Sequence, residues 1–197
     1  MMRALHLGII AIGMLSSANG SIRLEPKYTI GYGNPKAPIH IVEYFSFGCA
    51  PCLRCFAEDF EGIRSTYMDT GRVYWVMHPY PVDLITVQAM VCLEALSEVQ
   101  KRVFLEAVLL EHYRSPEFGV LKLMTAAMDV FKVQIPDVTD GVVLQSTPAF
   151  KAAFSYQQAK PTFTGTPTLS LNGTIIDEFP TRTVIDELIQ TEEGQSK

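Results

Sequence analysis

The stretch Ile39-His40-Ile41-Val42-Glu43-Tyr44-Phe45-Ser46-Phe47-Gly48-Cys49-Ala50-Pro51-Cys52 decides the reading of this chain. Its first part, Ile39–Ser46, is rich in β-branched and aromatic residues and reads as a buried central strand. Gly48 breaks it. From Pro51 the pattern turns helical: Leu53, Phe56, Ala57, Phe60, Ile63 and Tyr67 recur at spacings of three and four. Two cysteines two residues apart therefore sit where a strand hands over to a helix. A helix start carries unpaired N–H donors and partial positive charge. Both favour a thiolate over a thiol. Pro51 suits the first turn, where a missing N–H costs nothing. One helical turn brings the sulfurs within bonding distance. Cys49 is then the exposed sulfur that exchanges, and Cys52 the shielded one that resolves a mixed disulfide.

Outward from this point, the chain predicts an α/β order. A short strand is expected near Tyr28–Ile30. Gly71 stops the first helix, and Val73–Met77 is a second apolar strand closed by His78-Pro79-Tyr80-Pro81. Strand, helix, strand implies a right-handed crossover and a parallel pair. Residues 83–158 are mostly helical, with helices over Leu84–Leu96, Lys101–Tyr113, Phe118–Phe131 and Ala149–Gln158. Pro136, Gly141 and Pro148 mark breaks. Residues 161–165 are a loop. Strands Pro167–Leu171 and Thr174–Phe179 flank Asn172-Gly173, a strong hairpin signal. Thr181–Gln190 forms a last helix, and the polar tail from Thr191 is expected to fray. One α/β domain over residues 21–197 results, with a helical insertion over about 83–158.

The chain has 197 residues, 48% of them hydrophobic and 19% charged. It can bury a core and is not disordered by composition. Lys and Arg total 16 against 21 acids, a net charge of −5. That balance argues against a nucleic-acid partner. Residues 1–20 read as a signal peptide: Arg3, the apolar run Leu5 to Leu15, then small residues. Cleavage falls after Gly20, or alternatively after Ala18. The apolar run is short for an uncleaved anchor. Export places all four cysteines in an oxidising compartment.

Other readings of the cysteines exist. Cys49 and Cys52 could form an inert structural disulfide. With Cys55 they could begin an iron–sulfur run. No fourth cysteine follows at the required spacing, and no pair of histidines lies near for zinc. No metal and no cofactor are expected. Cys55 and Cys92 are the remaining pair. Bonded, they would close a loop of about 37 residues, worth roughly 4 kcal/mol. They could equally be two buried thiols, and Cys55 could shuffle with Cys52. Trp75 reads as core, and His78 as a structural turn near the active face.

The run Gly33-Asn34-Pro35-Lys36-Ala37-Pro38, followed by Ile41 to Cys49, resembles the start of a DsbA-family domain. Gly165-Thr166-Pro167-Thr168, heading the late hairpin, resembles that family's second signature. The similarity spans roughly residues 28–190. It implies a thioredoxin-like fold with an inserted helical cap, and exported thiol:disulfide oxidoreductase activity. It implies Cys49 as nucleophile, Cys52 as its partner, and Pro167 as a cis-proline facing them. Thr166 would contact substrate backbone. An ordinary trans turn at Pro167 is the rival.

Glu43 shares a strand face with Phe45 and Phe47, where a carboxylate is costly. The family often has an acid there. Glu43 is read as a proton acceptor for Cys52, raised by desolvation. The alternative is an acid that is salt-bridged or reaches solvent at a strand edge. The dipeptide Ala50-Pro51 departs from the Pro-His of strong oxidases and is closer to thioredoxin. Those two extremes differ by about 150 mV, roughly 7 kcal/mol, so a weaker oxidant is expected.

The partners implied are reduced exported proteins and a DsbB-type membrane quinone reductase that reoxidises the pair, in the periplasm. A disulfide isomerase or reductase is the alternative enzyme, and a redox-inactive peptide-binding chaperone the alternative of another class. Only about seven residues separate the cleavage site from the first strand, which points to a monomer rather than a dimeric isomerase.

Overall fold

A computed structural model describes residues 24–158, 163 and 165–195 of the chain. The signal-peptide reading and most of the loop over 161–165 lie outside the described residues. Five strands form one sheet in the order β1-β3-β2-β4-β5. They are β1 (Ile30–Tyr32), β2 (Ile39–Phe45), β3 (Val73–Pro79), β4 (Thr168–Leu171) and β5 (Thr174–Ile176). β2 runs parallel to β3 and antiparallel to β4. β1 closes the β3 edge antiparallel, and β5 closes the other. The mixed sheet, covered by helices, is the thioredoxin-like α/β architecture the sequence predicts.

β2 is central, with one face buried throughout and the other buried from Tyr44 onward. On one face Ile39, Ile41, Glu43 and Phe45 alternate, all buried. Helices α1 (Ala50–Glu58), α2 (Phe60–Ile63) and α8 (Arg182–Gln195) cover the region around Glu43 through Phe56, Phe60, Ile63 and Ile185. On the other face Tyr44 meets the His78 ring at 5.7 Å and the Phe163 ring at 4.7 Å. Tyr156, from α7 (Pro148–Gln158), stacks edge-on to His78 at 5.3 Å.

The helical block runs from α3 (Leu84–Glu94) through α4 (Glu98–Arg114), α5 (Val120–Phe131) and α6 (Gly141–Ser146) to α7. It is inserted between β3 and β4. α3 is apolar all round and buried along most of its length, as expected of a helix that packs on several sides. α4 starts with a capping box between Ser97 and Gln100.

Several boundaries differ from the sequence reading. β1 lies two residues later than expected, at Ile30–Tyr32, paired with Trp75 to Met77. β3 continues through His78 and Pro79, which pair with Tyr44 and Phe45. Gly141 opens α6 rather than breaking a helix, because the Asp140 carboxylate accepts from the N–H groups of Val142 and Val143 at 2.8 and 3.1 Å. Pro148 likewise begins α7. β5 ends at Ile176, short of Phe179. α8 reaches Gln195 instead of fraying at Thr191. Arg72 holds that last stretch, donating twice to the Glu193 carboxylate at 2.6 Å. Asn172 and Gly173 both adopt positive φ (47° and 89°), the backbone that a two-residue hairpin turn requires.

Candidate active site

Cys49 is the N-cap of α1, in extended conformation. Its Sγ accepts from the Cys52 N–H at 3.4 Å. Its thiol donates to the Thr166 carbonyl at 3.2 Å. Cys49 is half-buried, while Cys52, one turn on, is buried. The Thr166–Pro167 peptide is cis, and its carbonyl faces Cys49. Strand-to-helix junction and late hairpin thus converge as the sequence predicts. They bring Cys49, Ala50, Pro51, Cys52, Thr166 and Pro167 to one place.

The two sulfurs are driven apart in acidity. The Cys49 thiol is lowered to about 6, chiefly by its hydrogen bond with the Cys52 thiol. Burial opposes this, and the Thr166 side chain and the Cys52 amide assist it. Burial pushes the Cys52 thiol far up, with the hydrogen bond to Cys49 adding to the rise. At neutral pH Cys49 is the thiolate and Cys52 the thiol. A thiolate near 6 lies between the values of about 3.5 in DsbA and 7 in thioredoxin.

Glu43 is buried on β2, near enough for its charge to bear on both Cys49 and Cys52. Desolvation raises its carboxyl to about 7, against a hydrogen bond from Trp75 Nε1–H at 3.1 Å. The Cys49 charge raises it further. No salt bridge satisfies Glu43 among the described residues, so the strand-edge alternative does not describe it. A cavity of about 10 Å³, room for one water, touches Glu43, Cys55, Asp59 and Trp75. A carboxyl that titrates near neutrality can take a proton from its surroundings and return it.

All four cysteines are free thiols in the structure. Cys55 and Cys92 stand as two separate sulfurs. The Cys55 thiol faces the Pro180 carbonyl at 3.7 Å, and burial pushes it up to about 11. Cys92 is fully buried in α3 and is pushed up to about 12. Neither carries thiolate at neutral pH. His78 is buried with both ring nitrogens unpartnered among the described residues. Burial lowers it to about 3, so it stays neutral. It lines the opposite face of the sheet from Glu43.

The sequence reading missed a polar chain behind Cys49. Phe47 N–H donates to Thr86 Oγ1 at 3.0 Å, and Thr86 Oγ1–H donates to Ser46 Oγ at 3.1 Å. Gly48 N–H also donates to Ser46 Oγ, at 3.1 Å. Ser46 Oγ–H in turn donates to Asp83 Oδ2. Asp83 is recognisable in the sequence as a cap before Leu84, and its side chain does accept from Thr86 N–H at 2.7 Å. Its contact with a residue 37 positions earlier has no sequence signal. Trp75, read as core, is buried and also holds Glu43.

A groove of about 300 Å³ runs beside the cis bond, between Thr166-Pro167-Thr168 and Ile176 to Phe179. No three His, Cys, Asp or Glu side chains among the described residues gather as a metal site.

A family model described as thioredoxin matches residues 25–191. The chain belongs to the thioredoxin family. Among solved structures, this thioredoxin-family chain is similar to alpha-DsbA1 of Wolbachia pipientis. The TM-score is 0.67 at 19% identity, over 87% of this chain and 94% of that one. The protein-disulfide isomerase of Novosphingobium aromaticivorans gives 0.66 at 12% identity, covering 83% and 96%. DsbA of Chlamydia trachomatis gives 0.55 at 20%, covering 89% and 96%. At these identities the likeness establishes a DsbA-like fold, helical insertion included. No sequence among the curated proteins matches.

Proposed function

We propose that this chain is a thiol:disulfide oxidoreductase that introduces disulfides into exported proteins in the periplasm. The observation that carries the reading is the asymmetry of one pair: a half-exposed Cys49 lowered to about 6 over a buried Cys52 raised far above it. In the oxidised enzyme a substrate thiolate attacks Cys49 Sγ, and the 49–52 bond breaks. Cys52 leaves as a thiolate and takes up a proton, whose source in this reading is the Glu43 carboxyl, a buried acid whose charge bears on both sulfurs. A second substrate thiolate then attacks the substrate sulfur of the mixed disulfide. Cys49 departs as a stable thiolate, the substrate is oxidised by two electrons, and the enzyme pair is left reduced. Thiolate stability in the reduced state is what makes such a pair oxidising. Thr166 and Pro167 line the groove where the substrate backbone would lie. Reoxidation by a DsbB-type membrane quinone reductase completes the cycle.

The second reading is an isomerase or reductase kept reduced by a membrane electron donor. Pro51 before Cys52, and a Cys49 that is less acidic than in DsbA, both favour it. The reduction potential of the 49–52 pair in glutathione buffer separates the two. The Cys55→Ala/Cys92→Ala background serves as control. A value well above about −270 mV, the potential of thioredoxin, is expected. A value at that level overturns the oxidase assignment. Full activity in a Cys49→Ser variant would instead mean a redox-independent chaperone.

A further inference from the structure

Asp83 stands at the junction between sheet and helical block, as the N-cap of α3. We infer that Asp83 is a positioning residue that fixes the Cys49 loop and sets how oxidising the 49–52 pair is. This rests on the dithiol reading above.

The geometry has two parts. First, the carboxylate anchors the loop between β2 and α1. Oδ1 accepts from Thr86 N–H at 2.7 Å, and Oδ2 accepts from Ser46 Oγ–H. Ser46 Oγ then holds Gly48 N–H, and Thr86 Oγ1 holds Phe47 N–H. Every donor in this chain points toward the carboxylate. Two loop amides immediately before Cys49 are thereby fixed from α3 rather than from the thioredoxin core.

Second, the charge is close to the reacting sulfur. A Cβ placed on Gly48 would lie 3.0 Å from Asp83 Oδ2. A side chain at position 48 would therefore press on the carboxylate, which stands against the residue preceding Cys49. The groups facing the Cys49 sulfur are the Cys52 thiol and amide from α1, Thr166 from the hairpin side, and Asp83 from α3. The Glu43 charge bears on it from β2. Of the contributions from these neighbours, the hydrogen bonds of Cys52 and Thr166 favour the thiolate, while Asp83 opposes it. Asp83 therefore restrains the acidity that the hydrogen bonds of Cys52 and Thr166 confer. It destabilises the reduced state and makes the disulfide harder to transfer.

The test is Asp83→Asn, with Asp83→Ser beside it. Both keep a helix-capping side chain and remove the charge. Thiolate absorbance near 240 nm is followed against pH, and the equilibrium constant with glutathione is measured at pH 7. The Cys49 midpoint is expected to fall by about half to one pH unit. The equilibrium should shift about threefold to tenfold toward the reduced enzyme in both variants. Folded variants with an unchanged midpoint and constant overturn the inference. A purely structural cap would give that outcome, because it moves stability and not potential. If the wild-type pair fails to exchange with glutathione at all, the dithiol reading fails instead.

Discussion

Glu43 is an acid in an environment that disfavours its charge. Burial pushes its carboxyl up to about 7 from its ordinary 4.5. The unfolded chain releases this proton at lower pH than the folded one. Its contribution to stability is therefore fully present below about 4.5 and is lost as pH rises through 7. The span corresponds to about 3 kcal/mol. Glu43→Gln should accordingly be more stable than wild type at pH 8 and closer to it at pH 5, measured by urea denaturation. On the proposed mechanism, the same variant should slow opening of the 49–52 disulfide by a substrate thiolate, since the acid that protonates the departing Cys52 is gone. Equal pH dependence in the two proteins would mean that Glu43 is ionised throughout. The burial of this acid was legible from strand alternation alone. Its tie to Trp75 was not, because the indole lies 32 residues away and meets it only through the parallel pairing of β2 and β3.

At the scale of elements, the ends were harder to read than the centres. β2, the start of α1 and the hairpin turn carry dense local signals and stand where the sequence puts them, but the helix expected to run on to Gly71 ends at Glu58 and resumes as α2 after Asp59. α6 was missed, since Gly141 carries the same signature whether it stops a helix or follows its cap. The Asp140 side chain resolves the ambiguity by accepting two N–H groups. Asp140→Ala should lower stability by about 1 kcal/mol and leave the Cys49 titration where it is. Denaturation and thiolate absorbance check the two halves of that expectation. The end of α8 was missed for another reason. Its residues are polar, and what orders them is Arg72, from just before β3, paired with Glu193. Local composition cannot show a partner 121 residues distant.

The molecule as a whole joins sheet and helical block through the active-site loop. Phe47 packs on Phe104 of α4 at 6.1 Å, and both rings are fully buried. Ser46 and Phe47 reach α3 through Asp83 and Thr86. The block is thus part of one core and not a separate lid. Phe104→Ala should cost about 3–5 kcal/mol, and far-UV and near-UV signals should unfold together at the lower midpoint. A helical block that melts first, with the sheet intact, would contradict this. The insertion itself was visible in the sequence as a helical stretch between two halves of a sheet. That it also holds the loop preceding Cys49 was not, because these contacts form only when residues 46–48 and 83–86 meet in the fold.

The four sulfurs, finally, differ in availability as well as in role. Burial keeps Cys52, Cys55 and Cys92 protonated, and Cys52 and Cys92 are shielded as well, while Cys49 alone is both half-exposed and acidic. An electrophile that meets the folded, reduced protein at neutral pH therefore has one address. The same asymmetry that suits the chain to exchange gives it a single chemical handle, at which a probe or a covalent inhibitor would attach while the remaining cysteines stay silent.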